Sequence, residues 1–383
     1  MKIAELLHVA AGVAFLGIHV GSAQADQTLV IGAANPLTGS LAAMGKDAEN
    51  GARLAVEEIN ASGLSVGGQK VTLSLDGKDD MADPRTATMD AQMLVDEKVI
   101  AVVGHLNSGC TIPASKVYSD AGIVQISTST NPAYTLQGFK TTYRSTATDA
   151  QQGPALADYV IRKLKVKKVA IVDDATAYGQ GLADQFDKAV RARNVNVVSR
   201  DATNAQAVDF RAILTKIKGE NPDVIMFGGA DAGAGPFAKQ AKQLGLRAKI
   251  LGGDGVCTEK LAELAGDASS NVLCSEAGAP LGKMPGGKAF ETRYMKRYGQ
   301  PIQGYAPYNY DAVYIIVDAM KRANSTDSEK ILAAMPATNY HGVSGDISFD
   351  KKGDLSHGII SMFTYVSGKK QFLEESVMKS PNS

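Results

Sequence analysis

The sequence contains no tryptophan, only three cysteines and no surplus of charge of either sign. Its 40 Lys and Arg residues balance its 40 Asp and Glu residues, so the formal net charge is zero. Because binding to nucleic acid requires a surplus of cations, this balance argues against a nucleic-acid partner. Three cysteines in 383 residues also exclude a small disulfide-framework protein. After the N-terminus, no apolar run approaches the roughly 18 residues of a membrane span, which excludes a polytopic membrane protein.

The first 25 residues indicate an export signal. Lys2 precedes an apolar segment at 9–20, and Ala23-Gln24-Ala25 supplies the small residues that a signal peptidase requires. We therefore predict a signal peptide over residues 1–25 and a mature protein in an oxidising compartment. The alternative is a membrane-anchored N-terminal helix, which the short apolar segment disfavours.

Short runs rich in Val and Ile alternate with segments of helical periodicity along the rest of the chain, which is typical of βαβ units with parallel sheets. At roughly 150 residues per domain, the length suggests about two domains. The alternation restarts after Arg144, and the chain ends in two strands that follow a mostly helical stretch. We therefore predict two doubly wound α/β lobes with the chain passing between them more than once. The predicted strands lie at 29–34, 71–76, 99–104, 123–127, 169–174, 195–200, 223–229, 249–254, 271–276, 346–350 and 358–365.

In such sheets a ligand binds in the crevice outside the carboxyl ends of the strands. Ser108 lies where a helix is predicted to begin, so its hydroxyl and the following N–H groups are suited to an anion. Thr128, Ser129 and Thr130 offer further hydroxyls after the next strand. The alternative roles are a plain helix N-cap for Ser108 and ordinary turn chemistry for the other three.

Two acids and two tyrosines complete the candidate crevice. Asp231 and Asp254 each follow a strand of the second lobe, where either one can face an ammonium group or, alternatively, bond its own turn. Tyr178 and Tyr305 are candidate walls, with half-buried packing as the alternative. Hydroxyls on one lobe and carboxylates on the other suit a zwitterion better than a catalytic centre.

Motifs for enzymatic chemistry are weak. The three His residues of the predicted mature chain show no HxH or HxxxH spacing, so we predict no metal site and no cofactor. Residues 233–238 formally match GxGxxA, and Asp254 follows nineteen residues after the second Gly. The apolar part of the preceding strand ends near Phe227, and five residues (228–232) separate it from this match, where a tight turn is required. An exported dinucleotide-binding enzyme is therefore only a remote alternative.

Cys257 and Cys274 flank one predicted helix between two adjacent strands, and in an oxidising compartment we predict that they form a disulfide. Cys110 is then a small buried hydrophobic residue. Three cysteines allow three pairings, so the two pairings that involve Cys110 remain open.

Seven segments of the chain together show a known pattern: 36–60, 79–87, 102–115, 172–183, 225–231, 251–256 and 349–355. With them the chain resembles, over nearly its whole mature length, the periplasmic leucine/isoleucine/valine-binding proteins of branched-chain amino-acid ABC transporters. The resemblance implies a type I periplasmic binding protein fold, with two lobes joined by three hinge crossings. It places residues 26–146 and 277–354 in the N-terminal lobe and residues 147–276 and 355–383 in the C-terminal lobe.

The resemblance also implies roles for individual residues. The family's carboxylate-binding serine and threonine match Ser108 and Thr130, and a neighbouring backbone position falls near Thr128. The cleft tyrosine of the second lobe matches Tyr178, and an aromatic residue of the side-chain pocket matches Tyr305.

Three positions depart from the family pattern. Asp254 stands where the acid that binds the ligand ammonium is typically Glu, and it is one methylene shorter. Ala230 and Met44 stand where tyrosines line the cleft. The shorter acid leaves open whether Asp231 or Asp254 pairs with the ammonium group.

The function implied is that of a periplasmic receptor, not an enzyme. The receptor is a monomer that captures an amino acid with a branched aliphatic side chain. It delivers this ligand to the membrane permease of an ABC importer. The alternatives are a receptor or sensor for an amide, urea, an aromatic acid or a GABA-like amino acid.

Overall fold

The computed structural model describes residues 27–382, so the predicted signal peptide lies outside the described residues. The strands are β1 (Gln27–Asn35), β2 (Leu64–Val66), β3 (Gln69–Asp79), β4 (Ala101–Gly104), β5 (Val124–Ser127), β6 (Thr142–Arg144), β7 (Lys168–Asp173), β8 (Asn196–Ala202), β9 (Val224–Gly228), β10 (Lys249–Gly252), β11 (Val272–Glu276), β12 (Asn339–His341), β13 (Asp346–Ser348), β14 (His357–Val366) and β15 (Lys369–Lys379). The helices are α1 (Ala42–Ser62), α2 (Pro84–Asp96), α3 (Ser108–Asp120), α4 (Ala133–Leu136), α5 (Asp149–Leu164), α6 (Ala177–Arg191), α7 (Arg211–Glu220), α8 (Asp231–Gln243), α9 (Lys260–Ala265), α10 (Gly287–Tyr298), α11 (Ala306–Ala323) and α12 (Ser328–Ala334).

Two large sheets organise these elements. The first has the order β2-β3-β1-β4-β5-β6 and is parallel except for β2. The second has the order β15-β14-β11-β10-β9-β7-β8 and is parallel except for β14, which runs antiparallel to both of its neighbours, β11 and β15. The direction of winding reverses between β1 and β4 in the first sheet and between β7 and β9 in the second. Loops that leave neighbouring strands at such a reversal diverge, which opens a crevice at the carboxyl ends.

Each sheet has its own hydrophobic core, so we refer to a first lobe and a second lobe. The core of the first combines residues of 29–143 with residues of 290–347. The cores on the second sheet combine residues of 156–274 with Met362, Phe363 and Tyr365. The chain therefore passes between the lobes after β6, after β11 and before β14, in agreement with the predicted fold class. The residue limits of the two lobes stay a prediction.

Hydrogen bonds join the three crossings to one another. The Ala147 N–H donates to the Ala277 carbonyl at 3.0 Å, which links the first crossing to the second. Next to the third crossing, Arg144 Nε donates to Asp354 Oδ1 at 2.8 Å, with both side chains almost wholly buried. The Arg144 guanidinium also donates from Nη2 to the Asn131 carbonyl at 3.0 Å. The crossings are thus tied to a loop that faces the crevice.

The sequence locates most strands but misses four, β2, β6, β12 and β15. The first three are only three residues long, too short for a periodic pattern. β15 is an edge strand whose residues are alternately exposed and half-buried, and its charged residues conceal the weak apolar alternation. The sequence pattern predicts a helix over 236–244, but α8 begins five residues earlier, at Asp231.

The predicted disulfide is present and joins the loop after β10 to β11. Cys257 and Cys274 form it with their Cα atoms 5.2 Å apart. Cys110 is free and buried, and burial raises the pKa of its thiol. None of the helices within residues 27–382 is long and apolar enough to cross a membrane.

Candidate ligand-binding site

A cavity of about 40 Å³ lies between the lobes at the carboxyl ends of the strands. The loops after six strands and the residue before α11 contribute its walls. Seven of the nine predicted ligand-binding residues line this cavity, and Ser129 and Asp231 do not. The lining residues are Leu41, Met44, Leu106, Asn107, Ser108, Thr128, Thr130, Tyr178, Ala230, Asp254, Gly255 and Tyr305.

Hydroxyl groups form the first-lobe side of the cavity. The Thr128 and Thr130 hydroxyls are buried, and neither has a hydrogen-bond partner among the described residues. Ser108 begins α3, and its Oγ accepts hydrogen bonds from Ser129 Oγ at 3.0 Å and from the Asn131 N–H at 3.4 Å. Because Ser108 accepts both bonds, its own hydroxyl hydrogen is available to a ligand. Three free hydroxyl donors, of which Ser108 lies at the N-terminus of α3, suit a carboxylate.

A buried network fixes the two loops that hold these hydroxyls. His105 Nδ1 lies 2.7 Å from Asp80 Oδ2, and its Nε2 lies 3.2 Å from the Tyr118 hydroxyl. Ser127 Oγ donates to the His105 carbonyl at 2.6 Å and accepts from the Ser129 N–H at 2.9 Å. The loop after β4 and the loop after β5 therefore hold a fixed relative position.

A carboxylate forms the second-lobe side. Asp254 Oδ1 accepts hydrogen bonds from Gln152 Nε2 at 2.9 Å and from the Tyr178 hydroxyl at 3.1 Å, and Oδ2 accepts from the Tyr305 hydroxyl at 3.1 Å. Burial raises the pKa of Asp254, and these hydrogen bonds oppose the rise. Burial also raises the pKa values of both tyrosines, so their hydroxyls are protonated donors at neutral pH. Asp254 is suited to be the counter-charge of an ammonium group.

The two predicted residues outside the cavity wall support residues within it. Asp231 Oδ2 accepts from the Thr258 hydroxyl at 2.6 Å, and the Asp231 N–H donates to the Gly255 carbonyl at 2.8 Å. These bonds hold the loop that contains Asp254. Ser129 donates to Ser108. The geometry favours Asp254 over Asp231 as the partner of an ammonium group.

Sequence reasoning missed Gln152 and Asp149, which lie in the first turn of α5 rather than directly after a strand. Gln152 Oε1 accepts from Ser275 Oγ at 2.6 Å, so the amide that donates to Asp254 is held in place. Asp149 is fully buried, and burial and the charge of Asp254 raise its pKa to about 8. A capping box formed by Thr148 and Gln151 starts this helix, and that motif was the available sequence signal.

The described lobes are in contact across the crevice. Asn131 Nδ2 of the first lobe donates to the Ala177 carbonyl of the second at 2.5 Å, and the Tyr305–Asp254 hydrogen bond is a second link. Apolar side chains of Leu41, Met44 and Leu106 cover the rest of the wall. Within residues 27–382, no three His, Cys, Asp or Glu side chains converge as metal ligands.

The GxGxxA match has a structural role in helix packing. Gly233 and Gly235 lie inside α8, not in a loop between strand and helix. A Cβ on Gly235 would lie 2.4 Å from Leu264 Cβ, so glycine allows α8 to pack closely against α9. The match therefore lacks the phosphate-binding loop that a dinucleotide site requires.

Comparison with known proteins gives matches along most of the chain. A family model described as a periplasmic binding protein matches residues 28–368. A Leu/Ile/Val-binding protein homolog 1 from Brucella abortus (strain 2308) is 35% identical over 344 residues, 87% of this chain and 89% of that protein. A leucine-, isoleucine-, valine-, threonine-, and alanine-binding protein from Pseudomonas aeruginosa is 33% identical over 356 residues, 92% of this chain and 94% of that protein. Among solved structures, a branched-chain amino acid transporter substrate binding protein from Streptococcus pneumoniae, in complex with isoleucine, has a TM-score of 0.83 and 31% identity, and the match covers 92% of this chain and 100% of that one.

Proposed function

The chain belongs to the periplasmic binding protein family, and on this premise we propose that it is a receptor for a branched-chain aliphatic amino acid. One observation supports this most directly. Three free hydroxyl donors and a buried carboxylate face each other across one cavity, and the remaining walls are largely apolar. This arrangement matches the carboxylate, the ammonium group and the side chain of such an amino acid.

Each end of the ligand has a distinct partner. The ligand carboxylate accepts hydrogen bonds from the hydroxyls of Ser108, Thr128 and Thr130. The ammonium group donates to Asp254, and the Tyr178 hydroxyl remains beside that carboxylate. Both sets of bonds are charge-assisted, and the closed lobes keep water from competing with them. No step in this binding makes or breaks a covalent bond.

The position of the two partners explains how binding closes the protein. The hydroxyls belong to the first lobe and Asp254 belongs to the second, so a zwitterion bonds to both lobes only when they meet. Because the cavity is enclosed by both lobes, the ligand enters and leaves when the lobes separate at the three crossings. We propose that the closed form, as a monomer in the periplasm after cleavage of residues 1–25, is recognised by the permease of an ABC importer.

Calorimetric titration of the ligand-stripped mature protein tests the proposal. We expect micromolar or tighter binding of leucine, isoleucine or valine. Isovalerate lacks the ammonium group of leucine and isoamylamine lacks the carboxylate, and each should bind at least roughly tenfold more weakly, because one charge-assisted bond set is lost. Tight binding of acetamide, urea or benzoate without binding of aliphatic amino acids would contradict the proposal.

A further inference from the structure

A second cavity of about 450 Å³ lies between the lobes, behind Tyr305 and toward the crossings. It shares only Asp254 and Tyr305 with the cavity described above, and the hydrogen bond between these two residues separates the two spaces. Both lobes and the crossing after β11 contribute its walls, for example Met284, Phe363 and Ala277. None of the hydroxyl groups assigned to the ligand carboxylate lines this larger space.

The walls of the second cavity contain an excess of acids. Asp254, Glu259, Glu276 and Glu291 line it, and Lys370 is the one basic lining residue. Three aromatic rings, those of Tyr305, Tyr308 and Phe363, lie among apolar side chains on the same walls. Acids together with aromatic faces are the environment that proteins use to bind organic cations.

Lys370 shows how this wall holds an ammonium group. Its Nζ lies 2.6 Å from Glu276 Oε1 and 3.5 Å from Glu259 Oε1. The same nitrogen lies 5.2 Å from the centroid of the Phe363 ring. One lysine cannot neutralise all of the acids around it, so the wall retains negative charge for a second cation.

Tyr308 gives an independent indication of a ligand. Its side chain is only 8% exposed and lines the cavity. No residue in the described part of the chain hydrogen-bonds its hydroxyl, so this donor is free to bond to an occupant of the cavity.

We propose that this cavity is a second binding site, for a small amphipathic amine. The ammonium group of the amine lies beside Lys370 and shares the carboxylates of Glu276 and Glu259 with it. The apolar body packs against Met284 and Ile302. Because both lobes line the site, the bound amine contacts both and stabilises their closed arrangement. This last effect rests on the proposed function, and by linkage each ligand then strengthens the binding of the other.

Titration of the mature protein with phenethylamine tests the site directly, with 2-phenylethanol as the neutral analogue. We expect saturable binding of the amine in the millimolar range or tighter, much weaker binding of the alcohol, and tighter amine binding when leucine is saturating. Competition between amine and leucine, equal binding of amine and alcohol, or no saturable binding would each overturn the proposal. The titration without leucine measures amine binding at the second cavity even if the protein is not an amino-acid receptor.

Two variants with opposite expected effects test whether the amine binds beside Glu276. Lys370→Gln removes the cation that occupies Glu276, so phenethylamine should bind about tenfold more tightly, whereas Glu276→Gln should weaken it by about tenfold. Glu375→Gln is the matched control, because Glu375 pairs with Lys283 on the surface and does not line the cavity. Unchanged or weaker amine binding by Lys370→Gln would overturn the assignment, even if Glu276→Gln fails to fold.

Discussion

The sequence predicts the hydroxyl groups of the site more sharply than its acids. These hydroxyls belong to Ser108, Thr128 and Thr130. The hydroxyls could be predicted because each follows a buried strand or begins a helix, and those positions are fixed by local pattern. Asp231 and Asp254 could not be ranked in the same way, since both follow strands of the second lobe. The Thr258 hydroxyl, which bonds Asp231, is 27 residues away, and no local pattern predicts such a tertiary contact.

The free Thr130 hydroxyl provides a sharp test of the carboxylate site. Thr130→Val keeps the shape of the side chain and removes one donor to the ligand. We expect leucine binding to weaken by roughly 1.5–3 kcal/mol, as for a hydrogen bond to a charged group. Thr141→Val is the matched control, because the Thr141 hydroxyl is also buried and unpartnered but does not line the cavity. Equal leucine affinities of the two variants in calorimetry would contradict the assignment of Thr130.

Asp149 gives the protein a predictable pH dependence. Burial and the charge of Asp254 raise its pKa to about 8, and the nearby Thr130 side chain and the charge of Arg144 oppose the rise. The folded protein therefore binds this proton more tightly than the unfolded chain. The contribution to stability is complete below about pH 4 and is lost as the pH rises through about 8.

Asp149→Asn keeps the shape of the protonated acid and removes its titration. Between about pH 5 and pH 9 the wild type should lose on the order of 2–4 kcal/mol of unfolding free energy relative to this variant. Urea denaturation at a series of pH values measures the difference. Parallel pH profiles of the two proteins would show that Asp149 does not titrate in this range.

At the scale of elements, capping and strand composition account for what the sequence could predict. Asp83 followed by Pro84 predicts an N-cap and a first helical residue, and α2 begins at Pro84, where Asp83 accepts hydrogen bonds from the N–H groups of Arg85 and Thr86. The pattern of residues 150–164 predicts a helix, and α5 begins one residue before it, at Asp149. Its contribution to the site could not be predicted, because Gln152 reaches Asp254 across 102 residues of sequence.

The Asp80–His105 contact holds the loop after β4 against the loop after β3. Asp80→Ala leaves a buried imidazole nitrogen without a partner, so we expect a loss of about 1–3 kcal/mol of unfolding free energy. The control is Asp346→Ala, which breaks a His341–Asp346 contact of similar length that is exposed, and should change stability by less than about 1 kcal/mol. Chemical denaturation compares the two. Similar losses in both variants would mean that burial does not strengthen the contact.

For the whole molecule, the restart of βαβ units after Arg144 and the two final strands predicted two lobes and repeated crossings. The closed arrangement could not be predicted from those patterns. It depends on contacts such as Asn131 to Ala177 and Tyr305 to Asp254, in which side chains from separate lobes meet. Such contacts form only when the lobes meet, so a ligand that bonds to both lobes shifts the balance toward the closed form.

The separation of the hydroxyls and Asp254 between lobes leads to a prediction about shape. Leucine bonds to both lobes and should lower the radius of gyration measured by small-angle X-ray scattering. At a concentration of about 100 times its Kd, it should also add about 2.7 kcal/mol to the unfolding free energy. Isovalerate has the same side chain and carboxylate but no ammonium group, so at equal occupancy it should stabilise the first lobe without compacting the molecule. Equal compaction by both ligands would mean that Asp254 does not draw the second lobe onto the ligand, and closure would then have to arise from the apolar walls alone.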